Sequence, residues 1–358
     1  MSRLESYEQY QQNQNTTQIE STRPQSHGFD RQQALREFDQ ESQLAYAEAD
    51  ATTTTALPSD LVEVIANASL LFKNKEYHLA HNLYRAVLMR VPDYTIALRG
   101  MGESLSRLNK NFEALTYFRA VVQTEGSATA WERLASEAYT AKEFDEAYTS
   151  YIVAIESNLV EGEALFGAYK NLGNILIMRG DLNGAEMYYK KAFTLNPDSD
   201  VLMVNFGSLE IQKGDLNAAV EMFRRAVKIN DENDKAWVGL SLIHREFSDS
   251  ELSWANLEKA LDINESNESA IRMVAEWALK DNELDKAIHR LERYLKHKDQ
   301  DAQMTLWLAK FYYLAGFIDH AEIEINKALD LDSKVEGAME VFQVIREEKA
   351  AREKRVQC

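Results

Sequence analysis

The sequence predicts an all-α solenoid of about eight helix-turn-helix pairs that ends in a C-terminal capping helix. Two observations predict it. Small and bulky residues recur about every 34 residues along the chain, as is typical of helical repeat arrays. The 358 residues include only 4 prolines and 14 glycines, which favours long helices over closely spaced turns.

A column of small residues carries the repeat. It consists of Ala80, Ala114, Ala147, Ala185, Ala219, Ser253, Ala287 and Ala321. Another small residue stands twelve positions before each of them, and a bulky residue stands four positions after. Two helices approach closely only where both carry small side chains, so the two small columns predict the crossing points within each pair. One pair cannot bury its apolar face alone, and stacked neighbours are expected to form the core.

Glycine and proline predict the boundaries. Gly180 and Gly214 stand between the helices of a pair, and Pro92 and Pro197 stand between pairs. The array is predicted to span residues 57–332, with units near 61–94, 95–127, 128–161, 166–199, 200–233, 234–267, 268–301 and 302–332. Residues 333–358 are predicted to form the capping helix and a charged tail, which would cover the apolar face of the last unit.

One step of the repeat is 38 residues long, because four extra residues fall near positions 157–165. Two interpretations stay open. The extra residues either lengthen a helix or loop, or they form a joint that splits the array into three units and five.

Residues 1–56 are rich in Gln, Asn, Ser and Thr, and their apolar content is too low for a core. They are predicted to form a disordered polar arm. Within the arm, residues 29–50 are helix-prone and carry Leu35, Phe38, Leu44 and Tyr46. This segment is either a transient helix without a role or a docking segment that orders on a partner.

Composition excludes several classes of function. The net charge of −18 argues against binding nucleic acid or anionic membrane through the bulk surface. The single cysteine, Cys358, allows no intramolecular disulfide. No stretch approaches the roughly 20 apolar residues of a membrane-spanning helix, so no membrane insertion and a cytoplasmic location are expected.

The search for catalytic chemistry gives nothing specific. No GxxxxGK[ST] phosphate loop is present. His78 and His81 share a helix turn, but no further metal ligand stands beside them. We therefore expect no catalytic residue, no metal and no cofactor, and the chain is predicted not to be an enzyme.

Three fragments combine an aromatic residue with leucine and a small residue at a familiar spacing. They are Trp131-x-x-Leu134-Ala135, Tyr169-x-x-Leu172-Gly173 and Trp237-x-x-Leu240-Ser241. With the alanine and bulky columns that follow, they resemble the tetratricopeptide repeat over residues 61–332. The resemblance implies a right-handed superhelical solenoid that binds proteins. Ser253 and Tyr294 depart from the pattern, so units six and seven are predicted to pack less well.

In that family the first helix of each unit lines a concave groove. The resemblance implies that its second, fifth, sixth, ninth, twelfth and thirteenth positions face inward. The basic residues at these positions are Lys73, Arg99, Arg107, Arg133, Lys170, Lys235, Arg245, Arg272, Lys280 and Lys310. The acidic residues there are Glu103, Glu132, Glu246 and Glu276. Ten cations against four acids leave a surplus of six positive charges, which would attract an acidic ligand.

Four groove residues, Lys170, Asn174, Asn205 and Lys235, are similar to a two-carboxylate clamp that holds the C-terminal acid of chaperone peptides. The fifth clamp position, normally arginine, is Gly239 here. The predicted function is an adaptor that holds an acidic protein segment, with a chaperone or co-chaperone as the alternative and an enzyme accessory subunit as a third class. Homo-oligomerisation stays open.

The arm itself is a candidate occupant of the groove. Residues 29–50 contain six acids and two arginines, a net charge of −4. A short tether gives roughly millimolar effective concentration, so we hypothesise that the arm competes with the partner. The alternative is a solvated tail.

Overall fold

The computed structural model describes residues 58–356. This part of the chain is helical throughout and contains no strand, so the predicted all-α fold is confirmed. Its helices are α1 (Ser59–Lys73), α2 (Tyr77–Leu88), α3 (Thr95–Arg107), α4 (Asn111–Glu125), α5 (Ala128–Thr140), α6 (Phe144–Glu156), α7 (Gly162–Met178), α8 (Leu182–Leu195), α9 (Asp200–Lys213), α10 (Leu216–Ile229), α11 (Asp234–Glu246), α12 (Ser250–Ile263), α13 (Glu268–Asp281), α14 (Leu284–His297), α15 (Ala302–Leu314), α16 (Ile318–Leu331) and α17 (Ala338–Val356). The predicted arm, its helix-prone segment and Cys358 lie outside the described residues.

Each odd-numbered helix up to α15 packs against the helix that follows it. We call these pairs repeats one to eight, and their members the first and second helices. The chain divides after Pro197 into two compact units. Repeats one to four belong to the N-terminal unit, and repeats five to eight with α17 belong to the C-terminal unit.

In repeats two, four and five, the glycine of the first helix faces an aromatic ring of the second. Phe223 is 1 % exposed, and a Cβ added to Gly207 would lie 2.7 Å from its Cζ. Gly102 stands in the same relation to Phe118. The alanine column of the second helices is fully buried, as Ala219 illustrates. The predicted close crossings are therefore confirmed.

Within each unit, consecutive repeats pack through a second column, which stands two residues after the small residue of each first helix. Ile175, Ile243 and Phe311 occupy it and are fully buried. In repeat one the same position is Leu70, which is 56 % exposed because the described chain has no preceding repeat to cover it. The column is thus the face that each repeat turns to the one before it.

Helix α17 takes the place of the first helix of a ninth repeat. Ile345 falls in the column that faces the preceding repeat, and it is fully buried with Ala338. On the side where a second helix would pack, Gln343 and Arg346 are exposed and Met339 is 50 % exposed. This helix therefore covers repeat eight and ends the array with a largely polar face, as the capping role requires.

The four extra residues near 157–165 lengthen a helix and add a packed loop. Helix α7 has 17 residues, more than any other first helix between residues 58 and 356. Val160, in the loop before it, is 5 % exposed and clusters with Ala128 and Ala154. The four extra residues therefore lie in a longer helix and a packed loop.

Repeats six and seven differ in their packing. Ser253 is fully buried, its carbonyl accepts a hydrogen bond from Ser241 (2.7 Å), and helices α11 and α12 pack as extensively as their neighbours. In repeat seven, Tyr294 is 1 % exposed, and α13 contacts α14 less extensively than in any other described pair. The predicted looser packing is therefore confirmed for repeat seven. In repeat six the two helices pack closely, but the buried Ser253 hydroxyl has no hydrogen-bond partner, so the serine fits the crossing less well than alanine would.

One residue of the inter-repeat column is a buried glutamate. Glu137 is 2 % exposed, and its Oε1 has no hydrogen-bond partner. Burying a polar group without a partner costs about 1–3 kcal/mol. We expect Glu137→Leu to raise the free energy of unfolding by about that amount, measured by urea denaturation of the full chain. The control is Glu63→Leu at an exposed position, which should change the free energy of unfolding by less than about 0.5 kcal/mol. A Glu137→Leu protein less stable than the wild type would contradict this account of the interface.

Candidate functional site

The first helices of neighbouring repeats contact each other in each unit, α1 with α3 and α5 with α7 in one, α9 with α11 and α13 with α15 in the other. We treat the first helices of each unit together as one layer, in which these contacts join the helices in pairs. We call the layer surface of α1, α3, α5 and α7 the N-face and that of α9, α11, α13 and α15 the C-face. The predicted groove residues are divided between these two faces.

On the N-face, one predicted cation is already neutralised. The Nη2 atom of Arg99 lies 2.6 and 2.7 Å from the two carboxylate oxygens of Glu125, at the end of α4. Arg133 is half-buried, with its guanidinium 4.9 Å from the ring centroid of Phe118. Arg107 is exposed, and no carboxylate of the described chain lies within ion-pair distance of it.

Asn174 has a structural role on the N-face. Its side-chain amide donates to the Tyr139 hydroxyl (2.9 Å) and its carbonyl accepts from the Tyr189 hydroxyl (2.7 Å). It therefore ties α7 to both α5 and α8. Asn171 similarly donates to the Tyr151 hydroxyl (2.8 Å), and burial raises the pKa of Tyr151 to about 12.

Lys170 is half-buried on the N-face, whereas Asn205, half-buried, and Lys235, exposed, lie on the C-face. The clamp-like set is therefore divided between the two units. A Cβ at Gly239, the position where the clamp would carry arginine, would collide with the Phe223 ring. The close approach of the Phe223 ring therefore explains why position 239 is a glycine.

The C-face carries three exposed cations. Arg272 and Lys280 are exposed two turns apart on α13, and Lys235 is exposed at the start of α11. No carboxylate of the described residues lies within ion-pair distance of these three cations. Leu279 on α13 and Leu314 on α15 are 45 % and 51 % exposed. The face thus presents cations beside exposed leucines.

One predicted groove acid on each face has a raised pKa. On the C-face, burial raises the pKa of Glu276, although Lys280 and Arg272 act in the opposite direction. On the N-face, burial raises the pKa of Glu132 against the effect of Arg133.

Lys310, also predicted for the groove, is half-buried with its Nζ 4.8 Å from the ring centroid of Trp307.

Arg245 has a structural role in the C-terminal unit. It pairs with Asp281, with Nη2 2.9 Å from Oδ1, and its guanidinium lies 4.9 Å from the ring centroid of Trp277. The indole of Trp254 donates to the other oxygen of Asp281 (2.7 Å), and the hydrogen bond from Arg245 lowers the pKa of Asp281. The side chains of Arg245 and Asp281 are 11 % and 20 % exposed.

The surplus of charge is smaller than the sequence suggests. Each face carries five of the predicted cations and two of the predicted acids, a surplus of three. Glu125 neutralises Arg99 on the N-face, and Asp281 neutralises Arg245 on the C-face. Among the predicted groove residues, at most two positive charges of the surplus remain on each face.

Other kinds of site were also sought in residues 58–356. No group of three or more His, Cys, Asp or Glu side chains there could hold a metal ion. None of the helices there is both long and apolar enough to span a membrane.

Comparisons with known proteins identify the repeat. Residues 176–243 and 275–336 each match a family model described as tetratricopeptide repeat. No curated protein matches the chain.

Solved structures agree in fold. A tetratricopeptide repeat protein from Parabacteroides merdae aligns with a TM-score of 0.53 at 16 % identity, over 81 % of this chain and all of that one. The Cut9–Hcn1 hetero-tetramer of the APC/C gives 0.51 at 16 % identity, over 86 % of this chain and 59 % of that one. PilW, a type IV pilus biogenesis factor, gives 0.51 at 15 % identity, over 61 % and 99 %.

These helix pairs, crossings and matches define an array of helical repeats of the kind that binds proteins and peptides. Residues 176–243 and 275–336 are tetratricopeptide repeats, and the chain shares the fold of solved tetratricopeptide repeat proteins.

Proposed function

We propose that this protein is a non-catalytic, cytoplasmic adaptor that holds an acidic segment of a partner protein on its C-face. The observation that carries the proposal is the set of three exposed cations, Lys235, Arg272 and Lys280, without carboxylate partners among the described residues. Unpaired cations on a protein of net charge −18 attract a ligand of opposite charge without first breaking an ion pair.

The same face favours a ligand that is apolar as well as acidic. Leu279 lies between Arg272 and Lys280 in the sequence of α13, and Leu314 is exposed on the neighbouring α15. Each buried apolar side chain adds roughly 25 cal/mol per Å² of surface removed from water. A segment with acidic residues near leucine-sized ones would use both kinds of contact.

The chaperone alternative has weaker support. It needs Lys170, Asn174, Asn205 and Lys235 to act together, yet the Asn174 amide is hydrogen bonded to two tyrosines. Gly239 cannot be replaced by the missing arginine without displacing Phe223. We therefore place the partner site around Arg272 and Lys280.

We expect Arg272→Glu with Lys280→Glu in the full chain to weaken binding of acidic peptides about tenfold or more, since each exposed ion pair contributes up to about 1 kcal/mol and the reversal adds repulsion. The measurement is calorimetry with synthetic peptides of varied glutamate, lysine and leucine content. Raising the salt concentration should weaken wild-type binding, because screening shortens to about 8 Å at physiological ionic strength.

The matched control is Lys259→Glu with Lys327→Glu, which makes the same charge change at exposed positions of two second helices. The control should bind nearly as the wild type does. Equal loss in both variants would mean that net charge alone governs binding and would overturn the proposed site.

A further inference from the structure

Repeats one and two carry a two-row pattern on the N-face. Val62 and Ile96 stand 34 residues apart at the same position near the start of α1 and α3, and they are 54 % and 51 % exposed. Lys73 and Arg107 also stand 34 residues apart, at the last residue of the same two helices, and both are exposed. Because α1 contacts α3, the members of each row are neighbours.

The pattern is confined to these two repeats within the N-terminal unit. In repeat three the corresponding residues are Thr129 and Thr140, which are polar and uncharged. Lys73 and Arg107 have no carboxylate within ion-pair distance in the described chain. An apolar row and a cationic row on the first two repeats make a surface suited to a segment that is itself acidic and apolar.

We propose that residues 29–50 of the same chain bind this two-row surface. Their sequence has a net charge of −4, with six acidic residues against two arginines. It also supplies Leu35, Phe38, Leu44 and Tyr46 for the apolar row. Residues 29–50 thus offer acidic side chains to the cationic row and apolar side chains to the apolar row.

The position of this stretch in the chain allows the contact. The seven residues 51–57 separate it from Pro58, where the described chain begins beside the apolar row. Seven extended residues span about 25 Å, and packed helices lie about 10 Å apart, so both rows are within reach. Such a tether holds the segment at roughly millimolar effective concentration, enough to occupy a weak site.

This inference concerns the N-face and goes beyond the proposed function, because it needs no external partner. Its consequence is that the N-face of repeats one and two is occupied by the chain itself, so that another acidic ligand there must displace residues 29–50. The test therefore does not depend on ligand binding to the C-face.

The experiment is zero-length carbodiimide cross-linking of the full chain at low concentration, followed by peptide mapping of the monomer. It joins carboxylates to lysines in direct contact. We expect Lys73 to be linked to acids of residues 29–50, and Lys75, exposed two residues later on the α1–α2 turn, to be linked several-fold less.

Glu37→Lys with Glu41→Lys, which leaves the described repeats untouched, should lower the cross-links of Lys73 to the four remaining acids of residues 29–50 by about 2- to 30-fold, as expected for the loss of two exposed ion pairs. Adding Lys73→Glu and Arg107→Glu should restore binding, read as recovered amide-exchange protection of residues 29–50. Equal linkage of Lys73 and Lys75, or no change on charge reversal, would overturn the proposal. Cross-links confined to dimers would overturn it in favour of a second copy as the occupant.

Discussion

Gly173→Ala is expected to lower the free energy of unfolding by about 1–3 kcal/mol, the usual cost of overpacking a tight core. A Cβ at this position would collide with the ring of Tyr189. That ring is 2 % exposed, and its hydroxyl is held by Asn174, so it has little room to move. The helices of repeat four would have to separate.

The same helix provides the control. Gly167 also lies within α7, but a Cβ there would meet nothing within 4 Å. Gly167→Ala should therefore stabilise the protein by about 0.5–1 kcal/mol, because alanine has the higher helix propensity. Urea unfolding of both variants measures the two effects. Effects of the same sign would contradict the assignment of Gly173 to a helix crossing.

Asp281→Ala should destabilise the C-terminal unit by about 3 kcal/mol. The substitution leaves the guanidinium of Arg245, 11 % exposed, without its carboxylate, and it removes the acceptor of the Trp254 indole. Removing one partner of a buried pair costs about 3–5 kcal/mol, and residual solvent access places this pair at the lower end. Thermal and urea unfolding measure the loss.

Asp145→Ala is the matched control, because Asp145 also pairs with an arginine, Arg179, but is 89 % exposed. Its loss should cost less than about 1 kcal/mol. The pKa of Asp281 is lowered in the folded protein, so its stabilising effect is present above the unfolded pKa of about 3.9 and disappears as the pH falls through the folded value. Equal costs for the two variants would mean that the Asp281 pair is not buried in solution.

The crossings were predictable from sequence because a close helix approach permits few residue types. Gly207 faces Phe223, and the same pairing repeats wherever the small column and the bulky column coincide. Leu70 and Ile345 show the limit of that logic. Both fill the column that faces a preceding repeat, yet one is exposed and one fully buried, because burial depends on what stacks beside the helix.

The candidate site was less predictable, since positions within one helix do not reveal partners on another. Arg99 is neutralised by Glu125 from the end of a second helix, outside the positions that were read for charge. Arg245 is neutralised by Asp281, which stands one position beyond the inward set on the next first helix. Arg245 and Asp281 stand 36 residues apart, which is one repeat of 34 residues plus two. This spacing is the sequence signal that would identify the pair.

The tyrosine network was missed for the same reason. Asn174 was interpreted as a ligand-binding amide because its position matches one in the family. The structure places it between Tyr139 and Tyr189, where it links two repeats. A polar residue with bulky tyrosines at the matching positions of neighbouring helices is the pattern that indicates such a structural role.

The central claim, that a partner segment binds the first-helix layer of the C-terminal unit, is tested most directly by photo-cross-linking. An acidic peptide that binds the full chain is given a photoreactive group, irradiated in complex, and its attachment sites are mapped by mass spectrometry. The account predicts attachment on α13 and α15, around Leu279 and Leu314, and its loss in the Arg272→Glu, Lys280→Glu variant. Attachment to the second helices α10, α12, α14 or α16, unchanged in that variant, would contradict it.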